Sequence, residues 1–178
     1  LAVAILAVGN AAGRIVAGTL SDRIGRTLTL SLMLMFQAVL MFIAIPVVSA
    51  QPSSALLIVL IATGIGFNYG TNLALFPAIT KDYWGLKNFG TNYGLLMTAW
   101  GMGGFVLGRA SEMMKAATGN YVMSFGVAGV LLVAAAVMMM VKDLFNQMVQ
   151  AKVKEELTRR AEEAARAATL QPALEQVA

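Results

Sequence analysis

Five long apolar runs alternate with short polar breaks along the 178 residues. The runs cover about 1–20, 27–49, 54–79, 91–114 and 120–141. Each is close to the roughly 20 residues that a helix needs to cross about 30 Å of hydrocarbon at about 1.5 Å per residue. Their apolar residues lie on every face rather than in one stripe, which suits lipid or the inside of a large bundle. The breaks are Ser21–Arg26, Gln51–Ser54, Lys81–Gly90 and Ala117–Asn120. Pro52 is expected to open the third helix, since its missing N–H would be unsatisfied at a helix start anyway. Pro77 is expected to kink or end that helix. The pattern predicts an all-α membrane protein: five transmembrane helices over residues 1–141, followed by a helical tail over 142–178.

The tail is built of strong helix formers. Glu155 and Arg159, Glu156 and Arg160, and Glu162 and Arg166 are each spaced i,i+4. Pairs of this kind support a solvated helix by about 0.2–0.5 kcal/mol each. A plain charged extension and a partner-binding coiled coil are both open for it, the apolar seam being thin: Leu144, Met148, Ala151 and Leu157.

Charge then sets an orientation. Arg23 and Arg26 lie in the first break, and Lys81 and Lys87 in the third. The second break carries no Lys or Arg, the fourth has only Lys115 at its edge, and the tail is rich in both. Basic residues favour the cytoplasmic side. The expected topology puts the N-terminal end outside and the C-terminus in the cytoplasm of the plasma (inner) membrane. Leu1 stands inside an apolar run, so the bundle is expected to be truncated at its N-terminus.

Composition narrows the function classes. Hydrophobic residues make up 58% of the chain and charged ones 12%, where soluble domains carry about 25% charged residues. Cys and His are both absent. That removes thiolate nucleophiles, imidazole bases and the usual zinc ligands, so neither an enzyme, a metal nor a cofactor is expected. The net charge of +4 sits at helix ends rather than as a patch among aromatics, which gives no nucleic-acid signal. The bilayer is the expected partner.

Polar residues inside the runs are the candidates for chemistry. Arg14 lies about 10 Å inside the end of the first helix if that helix stops near Ser21. An arginine at helix centre costs about 2.5–3.5 kcal/mol on the insertion scale, against a return of about 0.3–0.6 from each Leu, Ile or Val. Snorkelling to the headgroups is one reading. The other is an anion site on a water-filled cavity, where a guanidinium grips a carboxylate with two parallel hydrogen bonds. The third run holds Asn68, Tyr69, Thr71 and Asn72, which need hydrogen-bond partners or water at bilayer depth. In the fourth, Gly104 and Gly108 form a small-xxx-small pair for close packing. Further along, Arg109, Glu112 and Lys115 are expected to pair at i,i+3 spacing. No acidic residue lies deep in a run.

The spacing Gly18-x-x-x-Asp22-Arg23-x-Gly25-Arg26 between two apolar runs resembles the cytoplasmic loop signature of the major facilitator superfamily. The run with Asn10, Gly13 and Arg14 is similar to the eighth helix of its oxalate/formate antiporter family. The resemblance covers about residues 1–141. It implies the C-terminal half of a secondary transporter, with its N-terminal half missing, that rocks around a midplane site. It also implies that Arg14 binds a small organic anion and that the Asp22–Arg26 loop latches the two halves. The family's aromatic eight residues before a proline falls on Tyr69, ahead of Pro77; a second aromatic falls on Leu73. The family's oxalate carrier has a lysine where Thr98-Ala99-Trp100-Gly101 has Trp100. The expected substrate is therefore a monocarboxylate such as formate, lactate, pyruvate or acetate, moved by exchange or proton coupling. Arg14 holds it, and Asn68, Tyr69 and Trp100 wall the cavity. Oxalate/formate-type antiport and a non-transporting membrane sensor are the alternatives.

The topology is testable because the sequence supplies no cysteine of its own. Single cysteines at Gln51 and Asn120 should react with an impermeant maleimide from outside, and one at Lys87 should not. Outside labelling at Lys87 would reverse the orientation.

Overall fold

The computed structural model describes residues 2–50 and 54–175. They form α1 (Ala2–Ile24), α2 (Arg26–Ser49), α3 (Ala55–Trp84), α4 (Phe89–Thr118) and α5 (Val122–Glu175), with no strand among the described residues. The chain divides into two compact units, Leu1–Met140 and Val141–Ala178.

Glycine sets the helix ends. A single residue, Gly25, separates α1 from α2, at φ 92°, a region closed to most side chains. Its N–H still bonds the Ser21 carbonyl at 3.1 Å, and its own carbonyl accepts from Thr29 N at 3.2 Å and Thr29 Oγ1 at 2.8 Å. Gly85 and Gly119 cap α3 and α4 at positive φ, each donating to a carbonyl four residues back at 2.8 Å. At the start of α3, the Ser54 hydroxyl accepts from Leu57 N at 3.5 Å; Gln51 and Pro52 lie outside the described residues.

Three expectations change. Pro77 does not end α3, which runs on to Trp84. A proline removes one N–H from the ladder, whereas Gly85 can adopt the left-handed conformation that stops a helix. The expected run 91–114 lies within the longer α4, and α4 is not among the four helices long and apolar enough to cross a membrane. Its glycines, Thr and Asn residues and the charges from Arg109 onward dilute its hydropathy. The last run and the tail form one helix, α5.

Within the first unit α3 packs against α1, α2 and α4. The α1–α3 contact is built from small residues. A Cβ on Gly13 would strike the Phe67 carbonyl, and one on Gly70 the Asn10 carbonyl. A Cβ on Gly9 would come within 2.8 Å of the Thr63 oxygen. Backbones that approach this closely gain dispersion contacts along their length, the main attraction between helices in lipid. Ala17, Leu30 and Leu75 bury the core beside them, with Leu34, Phe76, Ile79 and Met139 packed around. Polar groups add to it. Thr71 Oγ1 donates to the Gly13 carbonyl at 3.3 Å, across the contact. Asn68 Nδ2 donates to the Met33 carbonyl at 2.9 Å and Gln37 Oε1 at 2.8 Å, tying α3 to α2. Gly104 and Gly108, expected to pack closely, have nothing within 4 Å of an added Cβ. Large apolar side chains such as Phe105 and Leu95 are 76% and 74% exposed, as a lipid-facing or partner-facing surface requires.

In the second unit, Arg160 pairs with Glu156 at 2.8 Å as expected. Arg159 turns to Glu156 at 3.0 Å and Glu163 at 3.9 Å rather than to Glu155. The Arg166 side chain lies outside the described residues.

Gly13→Ala and Gly70→Ala should each lower unfolding stability in detergent by about 1–3 kcal/mol, the ordinary cost of overpacking. Gly104→Ala should be neutral or stabilising by up to about 1 kcal/mol, since alanine favours the helix. Thermal melts of the three variants compare them directly.

Candidate functional site

The stripe Tyr69, Asn72, Leu73 and Phe76 follows the i, i+3, i+4, i+7 spacing of one helical face on α3. Met97 and Trp100, three apart on α4, oppose it. Together these six residues line a small cavity of about 80 Å³. The Tyr69 and Trp100 rings lie 6.3 Å apart, tilted by 46°. Leu73, where the resemblance to the antiporters led to the expectation of a second aromatic position, lines the cavity with an aliphatic group. The Oδ1 atoms of Asn72 and Asn68 are both buried with no hydrogen-bond partner among the described residues, an arrangement that costs about 1–3 kcal/mol.

Tyr69 also lines an open groove of about 550 Å³ between α1 and α3, together with Asn10 and Gly66. Asn10 Oδ1 accepts from Arg14 Nε at 3.1 Å. Arg14 is exposed, and its two terminal nitrogens have no hydrogen-bond partner among the described residues. Asn10 and Tyr69 share the groove, whose lining is otherwise apolar (Val3, Leu6, Ala7, Ile65), and Tyr69 also borders the cavity with Trp100; Arg14 touches Asn10 but lines neither space. Asn68 stands apart from this group. Its Nδ2 donates twice to α2, so the side chain braces α3 from behind and is not among the residues lining the cavity.

The loop motif closes on itself and on α3. Arg26 bonds Asp22 at 2.8 Å and Asp82 at 3.1 Å, and also reaches the Ser21 hydroxyl. Thr27 Oγ1 and the Tyr83 hydroxyl lie 3.5 Å apart. Gly18 faces open space and Arg23 is exposed. Asp82 is the residue that sequence reasoning missed here: an acid in the same break as Lys81 and Lys87, on the side where Arg26 lies. At the other end of α4, Tyr121 joins the charges that were expected to pair directly. Lys115 Nζ donates to its hydroxyl at 2.9 Å, and that hydroxyl donates to Glu112 Oε1 at 3.1 Å. The bond to Tyr121 holds Lys115 above the ordinary lysine range.

Long apolar helices packed through small residues, four of them able to cross a membrane by length and composition, are the architecture of an integral membrane protein. The profile of the Major Facilitator Superfamily matches residues 1–175, and the chain belongs to that family of membrane transporters. It is 28% identical over 102 residues to the uncharacterized MFS-type transporter YhjX of Escherichia coli (strain K12), a stretch covering 57% of this chain and 24% of the relative. The chain thus aligns with about a quarter of that relative's length. No solved structure gives a significant match.

The Arg26–Asp82 pair is partly exposed, with 29% and 45% of the two side chains open, and should contribute at most about 1 kcal/mol. A double-mutant cycle of Arg26→Ala and Asp82→Ala should give a coupling of about 0.5–1 kcal/mol that shrinks at high salt. Strict additivity in thermal melts would show the pair to be idle.

Proposed function

We propose that the chain forms part of a secondary transporter for a small monocarboxylate such as formate, lactate, pyruvate or acetate. Arg14 holds the carboxylate, and Tyr69 and Trp100 wall the space beside it. The observation that carries this reading is Arg14: a guanidinium inside an apolar helix, with both terminal nitrogens open. Such a group is expensive in a membrane unless it faces a cavity or a ligand. Tyr69 borders both the groove that holds Asn10 and the cavity that holds Trp100, which supports a binding space on this side of α3.

One guanidinium balances one carboxylate. Trp100 occupies the place where a second cation would serve a dicarboxylate, so oxalate would leave a charge in low dielectric at a cost of several kcal/mol. Movement is by exchange or by proton coupling. The basic residues Arg23, Arg26, Lys81 and Lys87 support a cytoplasmic face at that end of α1 to α4. The Asp22–Arg26 loop latches the cytoplasmic side, with the N-terminal half of the transporter as its partner in the plasma membrane.

Competition against a labelled monocarboxylate in proteoliposomes of the intact protein tests the assignment. Arg14→Ala should weaken binding by about 10- to 100-fold, the worth of charge-assisted hydrogen bonds at about 1.5–3 kcal/mol. Arg14→Lys should also weaken it, because the charge survives and the fork is lost. Trp100→Lys should shift preference toward oxalate. If the unaltered protein takes oxalate best, or Arg14→Lys leaves affinity unchanged, the site is elsewhere. Binding without counterflow would mark a sensor.

A further inference from the structure

The Arg26–Asp82 and Thr27–Tyr83 contacts bring the last turn of α3 beside the α1–α2 turn. Four basic side chains stand at this end, counting the short link to α4, against two acidic ones: Arg23, Arg26, Lys81 and Lys87 against Asp22 and Asp82. Both acids bond the same cation, Arg26. Arg23, Lys81 and Lys87 are exposed, and none of the three has an ion pair among the described residues. The end therefore carries a net charge of +2 that nothing described in the chain answers. Between Lys81 and Lys87 stand Trp84 and Leu86, 58% and 70% exposed. A tryptophan ring prefers the headgroup level of a bilayer, and basic stems lie along the apolar zone with their charges turned outward.

We propose that the end of α3, the link 85–88 and Arg23 form a docking surface for an anionic phospholipid of the adjoining leaflet. The lipid phosphate answers Arg23, Lys81 and Lys87, while Trp84 and Leu86 enter the glycerol and upper acyl region beside it. Charge complementarity selects the lipid. A zwitterionic headgroup carries its own cation next to the phosphate and brings no net charge, whereas an anionic one does. Each basic residue near an anionic leaflet strengthens association by about fivefold. The bias of basic residues toward one side of the membrane accounts for their side. It does not require an exposed tryptophan and leucine between them, nor both acids withdrawn onto Arg26. A soluble phosphate would meet the same cations without the apolar half of the surface, so the lipid is the better ligand.

The test attaches a fluorophore to a cysteine at Asn88 of the intact protein, in a background otherwise free of cysteine. Asn88 caps α4 without a side-chain hydrogen bond, so the exchange costs little. The protein is reconstituted in phosphatidylcholine vesicles with a minor fraction of either phosphatidylglycerol or phosphatidylcholine carrying a nitroxide high on the acyl chain. Quenching then reports which lipid stands beside the link. Phosphatidylglycerol should be enriched about fivefold or more over phosphatidylcholine, and the enrichment should fall at high salt. Lys81→Gln together with Lys87→Gln cancels the net charge and should bring the ratio within about twofold of parity, while Lys81→Arg together with Lys87→Arg should keep it. Parity in the unaltered protein overturns the proposal, as does an enrichment that survives the paired Lys→Gln changes. Relief of the quenching by soluble glycerol 3-phosphate would mark a free-phosphate site and overturn it as well. No monocarboxylate is present in the measurement, so these outcomes leave the Arg14 assignment standing.

Discussion

The close approach of α1 to α3 is the constraint on which the rest of the first unit depends. In water, helices associate because apolar surface escapes solvent; in lipid that gain vanishes, and what remains is contact distance and polar pairing. Gly9 and Gly13 on α1 lie against Thr63 and Phe67 of α3, and Gly66 and Gly70 on α3 against Leu6 and Asn10 of α1, so any Cβ there meets backbone or a neighbouring side chain. Thr71 then reaches the Gly13 carbonyl, a bond available only because no side chain intervenes. Once α1 is locked on one face of α3, α2 takes the Asn68 face, and α4 the face of Tyr69 and Asn72.

This division makes α3 a helix with three separate polar jobs. Asn68 is structural, with its donors satisfied by Met33 and Gln37. Thr71 is interfacial. Tyr69 is half exposed and borders both the cavity and the groove. Asn72 lines the cavity, while its Oδ1, like that of Asn68, is buried with no partner among the described residues, where a buried polar group normally has one.

Much of this was readable from residue order. Apolar run length predicted five helices, and the break Ser21–Arg26 contains the turn at Gly25, where φ is 92°. Three kinds of information were not. Helix ends depend on which residue can adopt positive φ, so Gly85 outweighed Pro77 in stopping α3. Glycine spacing does not reveal its partner: Gly104 and Gly108 have the same small-xxx-small pattern as Gly66 and Gly70, yet only the latter meet a helix. Adjacent polar residues also point differently. Asn68 and Tyr69 read as one wall in sequence, but the turn of about 100° per residue in an α-helix sends one to α2 and the other to the groove. Asp82 was invisible for a related reason, being 56 residues from Arg26 and brought to it only by the docking of α3.

The packing contact and the candidate site share their backbone. Gly13 precedes Arg14, and Gly70 follows Tyr69. The carbonyl that blocks a Cβ at Gly70 belongs to Asn10, whose side chain accepts from Arg14. The glycines therefore hold α1 and α3 together and also fix how far Asn10 stands from Tyr69 across the groove. A methyl group at either position must push the helices apart where the guanidinium and the phenol are carried. Close-packed interiors transmit such displacements rather than absorb them. Tyr69 would move relative to Trp100 on α4, which has no glycine lock of its own and meets α3 through side chains around the cavity. A substitution that loosened the bundle at these glycines would therefore be felt at the cavity. Arg14, whose hydrogen bond is to Asn10 of its own helix, holds neither α1 nor α3 in place, so its loss would leave the bundle intact.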